Sequence, residues 1–300
     1  MCGAAGFAAR GDGSGRALSE LLDLLGPAAH RPLGAGPPSR SFVCDDHSPA
    51  EFSLAFSAGS PVSLRLLVEP GCSASTLEEN GRLRRRALEA LAARRDFSTE
   101  PVRRVEDWFF PSAMHGLFAL WCAMELRQDR PAGLSWHTPR VKVYVAHHDI
   151  TVAQAHTVSR LRPGEPAERV GEFCRVVAGD PGRFVHRPLV SCLSYTDRHR
   201  ALPTGYTVHV PVRDYAPDDE AARDRATAVL RRHGMDPGVL DSAWAAMTSR
   251  RPRDGVGLIA YVSLVQSTWQ PPRVNVYFSP EAYTVRPPRA TNRVQEGWAT

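Results

Sequence analysis

The stretch Arg140-Val141-Lys142-Val143-Tyr144-Val145 alternates cationic or phenolic residues with valines, at the two-residue period of a β-strand. One face therefore carries Arg140, Lys142 and Tyr144, and the other carries Val141, Val143 and Val145. A guanidinium, an ammonium and a phenol on one face can neutralise and hydrogen-bond an anion, and a phosphorylated ligand suits them. On an ordinary half-buried strand the polar face simply meets water. The same inversion recurs along this chain, however. Glu51, Ser53, Ala55 and Ser57 oppose Phe52, Leu54 and Phe56, and Arg65 shares a face with Ser63 and Glu69. Thr207 and His209 oppose Val208 and Val210, while Asn275, Tyr277 and Ser279 alternate with Val274, Val276 and Phe278. Repeated inversion reads as a closed barrel with a polar interior and an apolar exterior that helices cover.

The elements that must position these residues follow from spacing and punctuation. Ala17 to Leu25 has helical spacing ended by Gly26, between Gly/Pro-rich stretches at 1–16 and 27–40 that read as loop or disorder. Strands are expected at 51–57 and 63–69, turned by Ala58-Gly59-Ser60-Pro61, and a helix from Thr76 to Arg95. Asp107 to Phe110 reads as a short strand and Ala113 to Leu126 as a well-buried helix. After the strand at 138–146 come helices at 151–161 and 166–178, then a hairpin of 189–196 and 205–213. Helices at 218–233 and 237–249 precede a last strand pair, 257–267 and 273–280. Strand pairs thus alternate with helices, and the short connections argue for antiparallel pairing rather than βαβ winding. A two-layer α+β sandwich is the alternative.

Three hundred residues, 43% hydrophobic and 23% charged, are the composition of a globular protein with a sizeable core. The net charge of +5 is mild, and no Lys/Arg run with interleaved aromatics points to nucleic acid. The arginines between Arg82 and Arg95, with Glu89 and Asp96 among them, read as one solvated helix face. Six scattered cysteines without a CxxC suit reduced thiols, and neither a signal-peptide core nor an apolar run long enough for a membrane is present. A cytoplasmic protein is expected. Its organisation is a flexible N-terminus (1–16), a single domain (17–284) and a tail (285–300).

Four stretches carry a resemblance. Cys44-Asp45-Asp46-His47-Ser48-Pro49-Ala50-Glu51-Phe52-Ser53, Arg65-Leu66-Leu67-Val68-Glu69, Lys142-Val143-Tyr144 and Val274-Asn275-Val276-Tyr277-Phe278-Ser279-Pro280-Glu281 together resemble the dimethylallyltryptophan synthase family of aromatic prenyltransferases, in its bacterial branch. The likeness runs from about residue 40 to 284. It implies an α+β fold of the αββα type, an antiparallel ten-stranded closed barrel with a polar lumen surrounded by helices. About eight or nine strands are countable from the pattern. The implied reaction is a Friedel-Crafts-type alkylation in secondary metabolism, joining the allyl group of dimethylallyl diphosphate to the indole of tryptophan or a derivative.

The resemblance implies roles residue by residue. Arg65, Lys142, Tyr144, His209 and Tyr277 would bind diphosphate, and Tyr144, Tyr195 and Tyr277 would shield the allylic cation. Glu51 would accept the indole N–H. At the place of the family's proton acceptor stands Arg127, a poor base because it is always protonated, leaving Glu125, another carboxylate or water. The third unit departs from the family's Arg-x-Lys-x-Tyr, since Ser191-Cys192-Leu193-Ser194-Tyr195 keeps only the tyrosine. No cofactor beyond the diphosphate co-substrate is implied, and no metal. Asp45-Asp46-His47-Ser48-Pro49 and Asp218-Asp219-Glu220-Ala221-Ala222 both fail the Asp-Asp-x-x-Asp pattern, and His147-His148-Asp149 cannot all face one ion. The partners implied are an aromatic acceptor and an isoprenoid diphosphate, with no nucleic acid and no membrane. The rivals are the same barrel acting on a phenol, a phenazine or an indole peptide, and a non-catalytic isoprenoid- or aromatic-binding barrel.

Overall fold

The computed structural model describes residues 50–57, 60–68, 70, 74, 76–95, 97–109, 118–127, 140–147, 149–159, 167–195, 202–267, 270–279 and 285–289, with Asp23 alone before them. Asp23 is helical, and the rest of the expected 17–25 helix, the N-terminal loops and the Asp45-Asp46 segment lie outside the described residues. The chain divides into two compact units, one of Met1–His147, Leu161–Gly164 and Val190–Tyr206, the other of His148–Arg160, Glu165–Leu189 and Thr207–Thr300.

The first unit is built on four strands, β1 (Ala50–Ser57), β2 (Ser60–Val68), β3 (Phe118–Arg127) and β4 (Arg140–His147). Each pairs antiparallel with the next, in chain order. Two helices stand between β2 and β3. Helix α1 (Leu77–Arg95) opens at Thr76, whose hydroxyl accepts the Glu79 N–H at 3.1 Å. Its buried stripe runs through Asn80, Arg84, Leu88 and Leu91, at helical spacing. Arg84 therefore corrects the expectation of a wholly solvated arginine face: only 3% exposed, it belongs to the packed side, while Arg82, Arg86 and Arg94 are exposed.

Two expectations fail here, for opposite reasons. Asp107 to Phe109, read as strand, ends helix α2 (Glu100–Phe109). The Thr99 carbonyl accepts the Val102 and Arg103 N–H groups, Ser98 Oγ accepts the Glu100 N–H, and Glu100 pairs with Arg104 one turn on. The Ser98-Thr99-Glu100-Pro101 start signal was the clue. Conversely, of the segment read as a buried helix, 113–117 lie outside the described residues, and 118–126 belong to strand β3. Its Ala, Leu, Met and Glu are good helix formers, but partners on both sides along its length override that weak preference.

The second unit holds helices α3 (Val152–Ser159) and α4 (Ala167–Ala178), the Val210 end of the β5 (Leu189–Tyr195) to β6 (Gly205–Val210) hairpin, helices α5 (Asp219–Arg232) and α6 (Gly238–Met247), and the antiparallel pair β7 (Ile259–Ser267) and β8 (Arg273–Phe278). A capping box starts α3: Gln154 N–H donates to Thr151 Oγ1 while Gln154 Oε1 accepts the Thr151 N–H. Helices α3, α4 and α5 pack in succession, and α4 and α5 lie against β7, whose Ala260, Val262 and Leu264 are buried. The expected strand 205–213 stops at Val210, because Val212–Asp214 form a 3₁₀ turn.

One buried carboxylate ties this unit together. Asp219 is fully buried, accepts the N–H groups of Gly257, Leu258 and Ile259 at 3.0, 3.2 and 3.3 Å, and pairs with Arg250. Arg250 in turn lies over the Trp244 ring at 5.1 Å. Asp218 caps α5 through the Ala221 N–H. Both aspartates of the imperfect metal-like pattern thus do structural tasks. Eight strands are present among the described residues, against ten expected, and the pairings β1–β2–β3–β4 and β7–β8 do not by themselves close a barrel.

Candidate active site

Register decides which positions share a face, because residues directly opposite one another in neighbouring strands lie on the same side of the sheet. In the first unit Ser53 pairs with Arg65, Arg65 with Glu125, and Glu125 with Arg140. The adjacent row is Glu51, Leu67, Ala123 and Lys142, and in the next Trp121 stands opposite Tyr144. The expected site positions 51, 65, 125, 142 and 144 therefore occupy one face, within three successive rows. Strands lie about 4.8 Å apart and alternate residues about 6.7 Å apart, so these rows span a patch the size of a small ligand. On β4, Val141, Val143 and Val145 are 2%, 0% and 1% exposed, while Lys142 and Tyr144 are only half-buried. The valines form the packed side, and the cation and phenol keep access to solvent or ligand.

Reading β3 as a strand brings in Trp121, which sequence reasoning missed, and places Arg127. Trp121, opposite Tyr144, adds a second aromatic to this face. Arg127 pairs with Ser63, one row beyond Glu125, so it lies on this face as well. Had 118–127 been tested for alternation, Trp121, Ala123, Glu125 and Arg127 would have fallen together. Glu125 stands directly opposite two arginine positions, Arg65 on one side and Arg140 on the other.

The second unit carries its own phenolic face. Tyr261 pairs with Tyr277 and Ser263 with Asn275, and the His209 ring lies 5.6 Å from the Tyr277 ring. The expected residues His209 and Tyr277 are thus brought together, with Tyr261 as an unforeseen third member. Tyr277 is 38% exposed. Arg213 stands 5.9 Å over the Tyr261 ring, and Arg187 Nη1 donates to the Tyr261 hydroxyl at 3.4 Å.

Tyr195 sits differently. It is buried and its ring stacks on Phe97 at 4.5 Å. Burial raises its phenol well above the ordinary tyrosine range. On the same strand face, Leu189 and Leu193 are fully buried and Ser191 Oγ lies 2.9 Å from the Tyr206 hydroxyl. The Tyr195 hydroxyl is buried and meets no hydrogen-bond partner among the described residues, and the cation-shielding role expected of Tyr195 stays an expectation. Of the His147-His148-Asp149 run, His147 is buried in β4, whereas exposed Asp149 accepts from Arg183 Nε at 2.9 Å, which lowers its pKa. Among the described residues no group of three or more His, Cys, Asp or Glu side chains gathers closely enough to hold a metal ion. No described helix is long and apolar enough to cross a membrane.

No family model matches the chain. Solved structures do. The prenyltransferase PriB in its apo form is 43% identical, with 91% of each chain covered and a TM-score of 0.52. The 5-dimethylallyltryptophan synthase from Streptomyces coelicolor is 40% identical over 89% of this chain and 91% of that one, with a TM-score of 0.50. A 6-dimethylallyltryptophan synthase from Micromonospora olivasterospora, solved with DMASPP and Trp, is 34% identical over 91% and 93%, at 0.50. The NotF prenyltransferase shares the fold alone, at 16% identity and a TM-score of 0.61 over 88% of this chain and 66% of that one. With its antiparallel strand pairs, intervening helices and this degree of identity across nine-tenths of its length, the chain belongs to the bacterial dimethylallyltryptophan synthase family of aromatic prenyltransferases.

Proposed function

We propose that this enzyme transfers the dimethylallyl group of dimethylallyl diphosphate to the indole of L-tryptophan or a tryptophan derivative. The observation that carries the reading is the face on which positions 51, 65, 125, 142 and 144 fall in register. Cleavage of the allylic C–O bond leaves its electron pair on diphosphate, and Arg65, Lys142 and Tyr144 stabilise that developing charge. Each charge-assisted contact is worth roughly 1.5–3 kcal/mol. Tyr144 shields the allylic cation, and Trp121 widens the aromatic wall. The indole ring attacks the cation while Glu51 accepts the ring N–H and fixes the face presented.

The ring proton then leaves to Glu125. The alkylated ring cation is a far stronger acid than any carboxylic acid, so a carboxylate suffices as its proton acceptor. For the second unit we propose that His209 and Tyr277 also contact diphosphate and that Tyr277 shields the cation. The finer architecture we propose is the family's ten-stranded closed barrel, formed as a single domain over residues 17–284. We also propose that no metal is needed, since cationic side chains take over charge neutralisation.

The test is a mass-spectrometric assay with L-tryptophan and dimethylallyl diphosphate in the presence of EDTA. A product heavier by one dimethylallyl unit is expected from the native enzyme and none from Lys142→Ala. Turnover confined to indole peptides or other aromatics would move the acceptor. Undiminished turnover by Lys142→Ala would overturn the assignment of the face.

A further inference from the structure

The third strand unit of this chain has no Arg-x-Lys-x-Tyr, yet two arginines flank the strands around it. Arg187 lies just before β5 and Arg213 just after β6. The structure brings their guanidiniums to one carboxylate oxygen: Arg187 Nε is 3.1 Å and Arg213 Nε 3.4 Å from Asp214 Oδ2. Arg289 reaches Oδ1 of the same carboxylate at 3.6 Å. Among the described residues, three cations thus gather at one carboxylate.

This is not a surface ion pair of the usual weak kind. The side chains of Arg187, Arg213 and Asp214 are 24%, 13% and 16% exposed. The cluster is also built from one turn. Its residues 213, 214 and 215 each hold a different part of the arrangement. Arg213 stands over the Tyr261 ring, Asp214 grips Arg187, and the Tyr215 hydroxyl donates to the Arg187 carbonyl at 2.8 Å. The same hydroxyl accepts the His186 N–H at 3.1 Å, and Arg225 holds the Tyr215 carbonyl at 2.9 Å from helix α5. Backbone and side chain of Arg187 are both fixed before any ligand arrives. Its guanidinium contacts Tyr261, which pairs with Tyr277, whose ring neighbours His209.

We infer that Arg187 and Arg213 form a phosphate-binding pair on the Tyr261–Tyr277 face, with Asp214 and Tyr215 as positioning residues. Two planar guanidinium forks held side by side suit a ligand with several anionic oxygens, such as a diphosphate. Asp214 offsets the repulsion between the two cations. That the ligand is the donor's diphosphate rests on the prenyl-transfer reading above. The pair would supply the cations that Ser191 and Leu193 do not.

Calorimetry with inorganic diphosphate tests this on the full chain, beside steady-state kinetics. Arg187→Gln and Arg213→Gln should each weaken diphosphate binding tenfold or more and raise KM for dimethylallyl diphosphate, with a smaller change in kcat. Asp214→Asn and Tyr215→Phe should act in the same direction but more weakly, and Arg187→Lys should restore part of the loss. In case a variant fails to fold, phenylglyoxal labelling of the native protein followed by peptide mass spectrometry gives a second readout. Diphosphate should protect Arg187 and Arg213. Unchanged diphosphate affinity in both folded glutamine variants, or equal labelling with and without diphosphate, would overturn the inference. Turnover by native enzyme with normal loss in Lys142→Ala would then show that the prenyl-transfer reading survives alone. A native protein that neither binds diphosphate nor turns over would end both.

Discussion

Replacing Asp219 by alanine should lower stability without touching the chemistry. The carboxylate is fully buried, accepts three backbone N–H groups at the entry to β7 and pairs with Arg250, whose side chain is 12% exposed. Removing one partner of such a pair leaves an uncompensated buried cation and costs about 3–5 kcal/mol. The orphaned N–H groups push toward the upper end, since each unsatisfied buried donor costs about 1–3 kcal/mol and the terms overlap. A total of about 4 kcal/mol is a large share of the roughly 5–15 kcal/mol that holds a protein folded. At about 2–4 °C per kcal/mol for chains of this order of size, the Tm should fall by about 10 °C. Arg250→Met should cost less, because the three N–H groups still hold the carboxylate. The assay is thermal unfolding followed by circular dichroism, with kcat measured well below the new midpoint. A fall of less than roughly 2 °C would refute the clip, as would a kcat change in the folded protein, which would place Asp219 in the chemistry.

Two further outcomes follow from buried side chains. Cys174 and Cys192, both buried thiols outside any disulfide, should resist alkylation in the folded protein and react once urea unfolds it. Burial pushes the Cys174 thiol from 9.0 up to about 12, so the folded state keeps a proton the unfolded chain loses. The corresponding stability is present below 9.0 and lost as pH rises from there towards 12, a fall that urea midpoints between roughly pH 8 and 11 would register. Ser191→Ala should destabilise by about 0.5–1.5 kcal/mol by removing its hydrogen bond to the Tyr206 hydroxyl, and a double-mutant cycle with Tyr206→Phe should show that the two substitutions are not additive.

Strand faces were legible in this chain because one side had to be apolar. At Val141, Val143 and Val145 the alternation is unmistakable, and the register confirms that Lys142 and Tyr144 lie opposite them. Strand β3 was illegible for the converse reason. Its residues prefer a helix locally, and only two neighbouring strands, both distant in sequence, make it a strand. With it went Trp121 and the direct flanking of Glu125 by Arg65 and Arg140. The Arg187–Asp214–Arg213 cluster was invisible for a third reason: it is assembled from a pre-strand loop and a turn, and no periodicity marks such positions. The stacking of Tyr195 on Phe97 was equally illegible, since motif position says nothing of which ring a tyrosine meets.

The unbroken pairing of β2, β3 and β4 has a consequence for how such an enzyme can change. Their register runs without a shift, so every odd-numbered partner across β2 and β3, and every matching position of β4, keeps its side from one strand to the next. The ribbon is two texts printed on alternate letters. One, spelled by positions such as 65, 121, 123, 125, 142 and 144, is the face we propose for binding. The other, spelled by 64, 66, 68, 141, 143 and 145, specifies how the shell adheres. A point substitution edits one text and leaves the other intact, so acceptor preference can drift while the scaffold stands still. A single-residue insertion within a strand exchanges the two texts beyond it, and selection will confine length changes to the turns.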